Sequence, residues 1–459
     1  MKHKLQQCAA VLCIAALCMT VSVNTKGNEI IEAELPKCSA GAGITRLLAE
    51  VMNSSDKRAG AGIGWMMTET MNSSSKHAGA GIARLMAEVI NPLADTGSRA
   101  GVSGIKPYHT AAQPEITLIM TGDMLLHTGV ESAALQEDGT YSYDALFENV
   151  ADEIAGADLA IVNQEVIIGG EELGVTGYPS FNAPYAFGDA LMEAGFDVIC
   201  HGTNHVLDKK RNGLLNCMDF WRTNYPQAAV LGINASQEEQ DAVYVYEQDG
   251  MRIAILNYTY GTNGIELPAD MPYAVDLLDE EKVIADIKKA EELADFTIVC
   301  PHWGTEYRLT PDDYQKRWSQ LFLENGVDLV LGTHPHVIEP VEWLVDEETG
   351  NKMLVYYSLG NFVSWTSSTG KGVSNRSVGA MAEITLTRSE TGEVMISDYG
   401  IRSLVTHVEG RTDGVTVYNL LDYTEELAER NEIRNQDADF SLEYCINLCN
   451  EVWGEGNYQ

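Results

Sequence analysis

Residues 115–127 read EITLIMTGDMLLH, and the fold of the surrounding chain follows from that stretch. Ile116–Met120 is a short apolar run of the kind that suits a strand buried on both faces. It ends at Thr121-Gly122-Asp123, which sets a carboxylate at a strand end. The unit then recurs. Leu159–Val162 ends at Asn163, with Glu165 just beyond. Phe196–Cys200 runs into His201-Gly202-Thr203-Asn204-His205, and Ala254–Tyr258 is a further apolar run. Phe296–Cys300 leads to His302-Trp303-Gly304, Val327–Leu331 to Gly332-Thr333-His334-Pro335-His336, and Leu354–Ser358 to Gly360-Asn361-Phe362. Amphipathic helical patterns over 143–154, 183–194, 213–225, 279–294 and 312–325 lie between several of these runs. Short apolar strands alternating with such helices predict an α/β fold, with sheets covered by helices. Residues 380–387, 394–399 and 414–418 read as antiparallel strands, and 419–459 as an acidic, helical tail.

Sheets of this type carry their chemistry just beyond the strand ends. Here successive ends supply Asp123, Asn163 with Glu165, Asn204 with His205, His302 with Glu306, and His334 with His336. Carboxylate, amide oxygen and neutral imidazole together form an oxygen and nitrogen donor set suited to divalent Zn, Mn or Fe. A carboxylate can bridge two such ions, and a pair of ions can activate water and stabilise a leaving oxygen. Any one member, His127 or His302 for instance, could equally be tying a loop down; the ordered set is the stronger signal. His-Pro-His is read as extended, so that alternate side chains share one site. His205 directly follows Asn204, where neighbouring side chains diverge, and is therefore assigned to proton or charge chemistry. Asp208 would orient its ring. Arg308 is a candidate anion clamp because its fork matches carboxylate or phosphate, with a plain surface role as the competing reading. Trp303 and Tyr307 would line the pocket or simply pack.

The 459 residues carry 67 acidic and 30 basic side chains, a formal net charge of -37. Such a surface repels nucleic acid and acidic lipid headgroups, so no nucleic-acid partner is expected. Residues 1–27 have a basic start at Lys2 and Lys4 and an apolar stretch from Ala9 to Val21, followed by small and polar residues. This is the layout of a secretory signal, with a retained anchor as the alternative, and it predicts an extracytoplasmic protein. Residues 36–92 hold three 19-residue units, marked by Gly41, Gly60 and Gly79. Units this short pack together, bind something or act as a flexible spacer. Residues 93–114 read as a linker and 115–418 as the main domain. Cys200 and Cys300 end apolar runs and look like buried thiols, while Cys445 and Cys449 stand one helical turn apart.

The motifs GDMLLH (122–127), NQE (163–165), GTNHVLD (202–208), HWGTEY (302–307), GTHPH (332–336) and YSLGNF (357–362) resemble those of the bacterial capsule, or poly-gamma-glutamate, synthesis proteins of the CapA type. That family is similar to the calcineurin-like metallophosphoesterases. The resemblance spans roughly residues 115–365 and does not reach the repeats. It implies a four-layer α/β/β/α sandwich holding two divalent ions. Asp123 would be the first metal-binding acid, Glu165 the bridging acid, and Asn204, His302, His334 and His336 further ligands. His127, Asn163, Glu306 and Asn361 would be ligands or groups directly behind them, while His205, Asp208 and Arg308 would serve catalysis. Two departures from the phosphatase pattern stand out. Three residues rather than one separate Asp123 from His127, and the bridging acid is Glu where phosphatases use Asp. The resemblance also implies a role as a metal-dependent hydrolase in polymer synthesis or export, with an anionic cell-surface polymer or its precursor as partner and a membrane synthesis complex around it. A non-catalytic polymer-binding role, or a phosphoesterase acting on small or lipid-linked phosphates, is the alternative.

Overall fold

The computed structural model describes residues 114–410 and 414–459, together with a strand pair, Thr25–Lys26 and Glu29–Ile30. The rest of the expected export segment, the 36–92 repeats and all but the last residue of the linker lie outside the described residues. The chain divides into two compact units, 1–101 and 102–459. Among the described residues of the second unit fourteen strands follow in order: β1 (Glu115–Leu125), β2 (Leu159–Asn163), β3 (Val198–Cys200), β4 (Ala229–Leu231), β5 (Tyr244–Gln248), β6 (Met251–Thr259), β7 (Phe296–His302), β8 (Leu329–Leu331), β9 (Val341–Val345), β10 (Lys352–Tyr356), β11 (Asn361–Ser364), β12 (Val378–Arg388), β13 (Val394–Glu409) and β14 (Gly414–Asn419).

They form two sheets. The 8-stranded sheet runs β14-β13-β12-β1-β2-β3-β4, with β11 also paired to β1, and the 6-stranded sheet runs β9-β10-β8-β7-β6-β5. β1 to β4 are mutually parallel, as are β6, β7, β8 and β10. The antiparallel strands sit toward the margins, β12 to β14 in one sheet and β5 and β9 in the other. Parallel strands expose no face to water, so alternate residues must pack on opposite sides. Ile116, Leu118 and Met120 of β1 meet Ile253, Ile255, Ile298 and Leu329 in the layer between the sheets. Ile119, Ala160, Val162 and Ile199 instead face helices Tyr185–Ala194 and Lys210–Asn224 through Phe187, Leu191, Leu214 and Trp221. Ala254, Leu256, Val299 and Val330 face helices Glu280–Leu293 and Asp313–Glu324 through Val283, Ile287, Trp318 and Phe322. The result is helix, sheet, sheet, helix, the four-layer arrangement expected.

The C-terminal segment differs from the tail expected for it. It holds helices Glu425–Arg430 and Leu442–Trp453, and it is built into the core. Cys445, Leu448, Cys449 and Trp453 share one buried face of the last helix and pack with the inter-sheet layer. Trp453 Nε1 donates to Glu339 O at 3.0 Å, and Ser403 N donates to Gln459 O at 2.7 Å. Acidic residues on the other faces had masked the apolar stripe. Cys200, Cys217, Cys300, Cys445 and Cys449 are buried free thiols.

Candidate metal centre

The parallel strands of both sheets deliver their C-terminal ends to one edge. β1 delivers Asp123 through a local irregularity: its ladder to β2 passes from Thr121–Val162 directly to Asp123–Asn163, leaving Gly122 unpaired. Such a step turns a side chain out of the pleat. Gly122 also lies against Gly360 O, where a Cβ would overlap the carbonyl, and Asp123 N donates to that same oxygen at 2.9 Å. Gly122 thus lets β1 and the Gly360 turn approach closely enough to fix Asp123.

Glu165 occupies the middle of the cluster. It is fully buried, and neither carboxylate oxygen has a hydrogen-bond partner. Its Oε1 lies 3.7 Å from His302 Nε2, 3.7 Å from His336 Nε2 and 4.0 Å from His205 Nε2. Asp123, Glu165 and His336 bring one ligand atom each to within 4.8 Å of one another, and so do Glu165, His302 and His334. Glu165 belongs to both groups. Asn204 Oδ1 is 3.0 Å from His302 Nε2, on the side of the second group. An unpartnered buried carboxylate costs free energy unless a cation faces it. The orphaned His334 Nδ1 and Asn163 Oδ1 add to the same open inner surface. The donor set therefore fits one or two divalent ions, with Glu165 placed to be shared between them.

Electrostatics agree with the geometry. Burial holds His302 and His334 well below the usual imidazole range, with neighbouring histidines pushing the same way, so both are neutral lone-pair donors. Burial raises Glu165 well above the usual carboxylate range, against the opposing pull of His336. Burial would lower His336, but Glu165 and Asp123 outweigh it and raise the imidazole to about 9. In the absence of a cation both Glu165 and His336 are thus biased toward their protonated forms.

His334 and His336 do not form the extended His-Pro-His segment expected. Both have left-handed backbones, φ 100 and φ 59. The chain turns sharply, and this sends His334 to the Glu165–His302 group and His336 to the Asp123–Glu165 group. Non-glycine residues in that region are strained and persist only where their surroundings hold them. Here His334 N faces Asp123 Oδ2 at 3.2 Å, and Tyr307 N donates to Pro335 O at 2.8 Å.

Around this set, His205 Nδ1 pairs with Asp208 Oδ2 at 2.7 Å, and the same oxygen accepts from Phe181 N at 2.7 Å. The Phe181 ring stands edge-on to His205 at 4.7 Å, so the imidazole is clamped with Nε2 toward Glu165.

Comparison with known proteins bears on this geometry. The profile described as bacterial capsule synthesis protein PGA_cap matches residues 117–366, more than half of the chain. The chain belongs to the bacterial capsule synthesis family. "PGA biosynthesis protein CapA" of Bacillus subtilis is 30% identical over 182 residues, 38% of this chain and 45% of that protein. "Capsule biosynthesis protein CapA" of Bacillus anthracis is 24% identical over 276 residues, 57% of this chain and 64% of that protein. The match thus covers less than two thirds of either relative. Among solved structures, a 5'-nucleotidase precursor from Thermus thermophilus is similar at 17% identity and a TM-score of 0.39, over 63% of this chain and 54% of that one. Purple acid phosphatase PPD1 from yellow lupin is similar at 12% identity and a TM-score of 0.31, over 67% and 54%.

In this capsule-family chain the structure gathers Asp123, Asn163, Glu165, Asn204, His205, Asp208, His302, His334, His336 and Asn361 into one buried cluster. Asn163 Nδ2 donates to Asp123 Oδ1 at 2.8 Å, and Asn361 Oδ1 lies 3.1 Å from His336 Nδ1, so both orient ligands. His127 packs against Phe181 at 5.2 Å, and burial, with His336 and His205 acting the same way, lowers it to about 3. Glu306 is exposed and acts on the cluster only through its field. Arg308 is exposed, and the carboxylate its charge reaches is Glu339, outside the cluster. Trp303 is core, donating to Tyr357 O at 3.0 Å. Sequence reading missed Asn257, which accepts from Gly202 N at 2.7 Å and donates to Cys300 O at 2.8 Å, fastening the Asn204 loop to the second sheet. It also missed Tyr260, whose ring lies 4.6 Å from His334. Asn257 is the one amide inside the apolar run Ala254–Tyr258, and that interruption was the available signal.

Proposed function

We propose that this protein is an extracytoplasmic, metal-dependent hydrolase acting in the synthesis or export of a capsule polymer of the poly-gamma-glutamate type. The observation that carries the hydrolytic reading is Glu165: a fully buried carboxylate with two unpartnered oxygens, common to two groups of metal-ligand side chains. Asp123, Glu165 and His336 would hold one divalent ion, and Glu165, Asn204, His302 and His334 a second. Bound there, such ions supply Lewis acidity and an activated water.

The chain's own residues divide the remaining work. His205, with Nδ1 engaged by Asp208, keeps its Nε2 toward the cluster. It can donate a hydrogen bond to developing charge or pass a proton to a leaving group. Asp208 positions the ring through Nδ1, and Phe181 excludes water from one side of it. Asn163 and Asn361 hold Asp123 and His336 in place. The polymer assignment rests on family membership, and the extracytoplasmic assignment on residues 1–27.

The test is to load the full chain with Mn or Zn, measure metal by elemental analysis, and assay γ-linked oligoglutamate and phosphodiester substrates side by side. Amide cleavage of oligoglutamate that depends on His205 is the expected result. Metal without turnover on either class would reject the hydrolase reading, and phosphodiester turnover alone would reject the amide.

A further inference from the structure

Arg376 lies in the 3-10 turn Val373–Ser377, which leads into β12. It is partly buried, and among the described residues its guanidinium forms no ion pair with a carboxylate, unlike Arg211, Arg222, Arg252, Arg317, Arg388, Arg402 and Arg430. Its Nε is buried with no hydrogen-bond partner. Its one side-chain hydrogen bond is from Nη1 to Ser368 Oγ, at 3.3 Å. Arg308 and Arg434 likewise form no ion pair among the described residues; what sets Arg376 apart is its buried, unpartnered Nε and its place beside the metal cluster.

Two features fix Arg376 beside the metal cluster. Its Cζ lies 3.7 Å from the centre of the Tyr307 ring, and that ring is 6.0 Å from His336. Its carbonyl accepts from Asn361 Nδ2 at 2.9 Å, while Asn361 Oδ1 lies 3.1 Å from His336 Nδ1. The guanidinium is near enough for its charge to add to the burial that lowers His127 and to oppose the burial that raises Tyr307. Stacking on an aromatic face holds the guanidinium plane and leaves its edge for a planar or tetrahedral anion.

We propose that Arg376, stacked on Tyr307 at the rim of the cluster, is the substrate-anchoring cation of this site and binds an anionic group of the substrate. Resting on the proposed hydrolase reading, this names the substrate class: a molecule with a carboxylate or phosphoryl group close to the bond presented to the metal side chains. Arg308, the arginine that the motif pattern favoured, does not occupy this position.

Binding tests it directly. Titration calorimetry of the Mn-supplemented full chain with γ-linked triglutamate and, separately, with phenylphosphonate reads the carboxylate and phosphoryl cases. Arg376→Gln should weaken at least one probe about 10- to 100-fold, the loss of a charge-assisted pair. Metal content and melting temperature should stay near wild type. Arg376→Lys keeps the charge and loses the fork, and should bind with intermediate affinity; should the Gln variant misfold, the Lys variant alone decides. Which probe responds assigns the anion. Wild-type and Arg376 variants binding both probes equally, or no binding of either probe to the wild type at millimolar concentration, overturns the proposal. Arg376-dependent binding to a protein that holds no metal would instead overturn the hydrolase reading and leave this one standing.

Discussion

Replacing Glu165 by Gln should move the metal-free protein and the metal-loaded protein in opposite directions. Without metal, both oxygens of a fully buried carboxylate lack partners, and the nearest imidazole nitrogens stand 3.7 Å away. A buried, unsatisfied polar group costs about 1–3 kcal/mol. The Glu165→Gln substitution would remove the titratable group, and the new amide could donate to a neighbouring acceptor. In a domain of this size that gain corresponds to a rise in melting temperature of roughly 2–6 °C in EDTA. The wild type should recover more than this with metal, about 2.7 kcal/mol at 100 times the dissociation constant, whereas Glu165→Gln should recover little.

The pH dependence has a definite sign. Glu165 is raised in the folded state, so between its ordinary value of 4.5 and its own raised value the native protein holds a proton that the unfolded chain has lost. Metal-free stability then falls as pH rises through that window. His336, raised from 6.5 to about 9, likewise keeps a proton in the folded state and extends the fall toward that value. Glu165→Gln should flatten the slope. Metal binding must displace the proton, so wild-type affinity should increase with pH across the same range. Differential scanning fluorimetry from pH 5 to 9, with EDTA or Mn, measures all of this. A variant that melts lower than wild type in EDTA and still gains stability with Mn would show Glu165 to be a structural acceptor.

Other perturbations separate the remaining roles. His334→Ala should sharply lower metal stoichiometry by elemental analysis, and His334→Gly should do the same while melting higher in EDTA than the Ala variant, because glycine relieves the φ 100 backbone by about 1 kcal/mol. His205→Asn should keep metal content and melting temperature while lowering turnover about 10²- to 10⁴-fold on whichever substrate responds; lost metal would make His205 a ligand. Gly122→Ala, whose Cβ overlaps Gly360 O, should cost about 1–3 kcal/mol or more in denaturant unfolding and should weaken metal binding along with it. Deleting residues 36–92 should preserve a cooperative thermal transition, and its loss would place the repeats in the core.

Much of the site was legible because its residues terminate apolar runs, and parallel sheets gather such ends at one edge. Asp123, Asn163, His302 and the 332–336 turn each announce themselves locally. What escaped reading is whatever depends on contact between distant segments. Arg376 carries no local signature; its meaning comes from Tyr307, 69 positions earlier, beneath its guanidinium. Strands β3, β4 and β8 have only three residues, too few for a period to show, and β4 was missed while the more apolar runs at β3 and β8 were not. β9, with Val341 and Leu344 half-buried and Glu342 and Trp343 exposed, is a marginal strand whose pattern is irregular. His-Pro-His was misjudged because spacing alone does not tell an extended segment from a tight turn.

That turn also explains how two histidines separated by one proline can serve different ligand groups. An extended segment would aim both at one point, and one group would then lack its imidazole. Left-handed backbone at two non-glycine positions costs of order 1–3 kcal/mol each, and the surrounding contacts offset it. Gly332 packs against Tyr357 O and the Trp303 ring, where any side chain would collide. Trp303 N donates to Thr333 O at 3.0 Å, and Thr333 N donates to Pro301 O at 3.0 Å, binding the turn to the end of β7. Asp123 receives the His334 amide and also faces His336 Nδ1 at 3.1 Å. One carboxylate thus holds the turn from inside while remaining a candidate ligand. The same contacts that set the ligand geometry therefore carry the strain, and the backbone hydrogen bonds of the turn, not the imidazoles alone, aim the two rings at their separate groups.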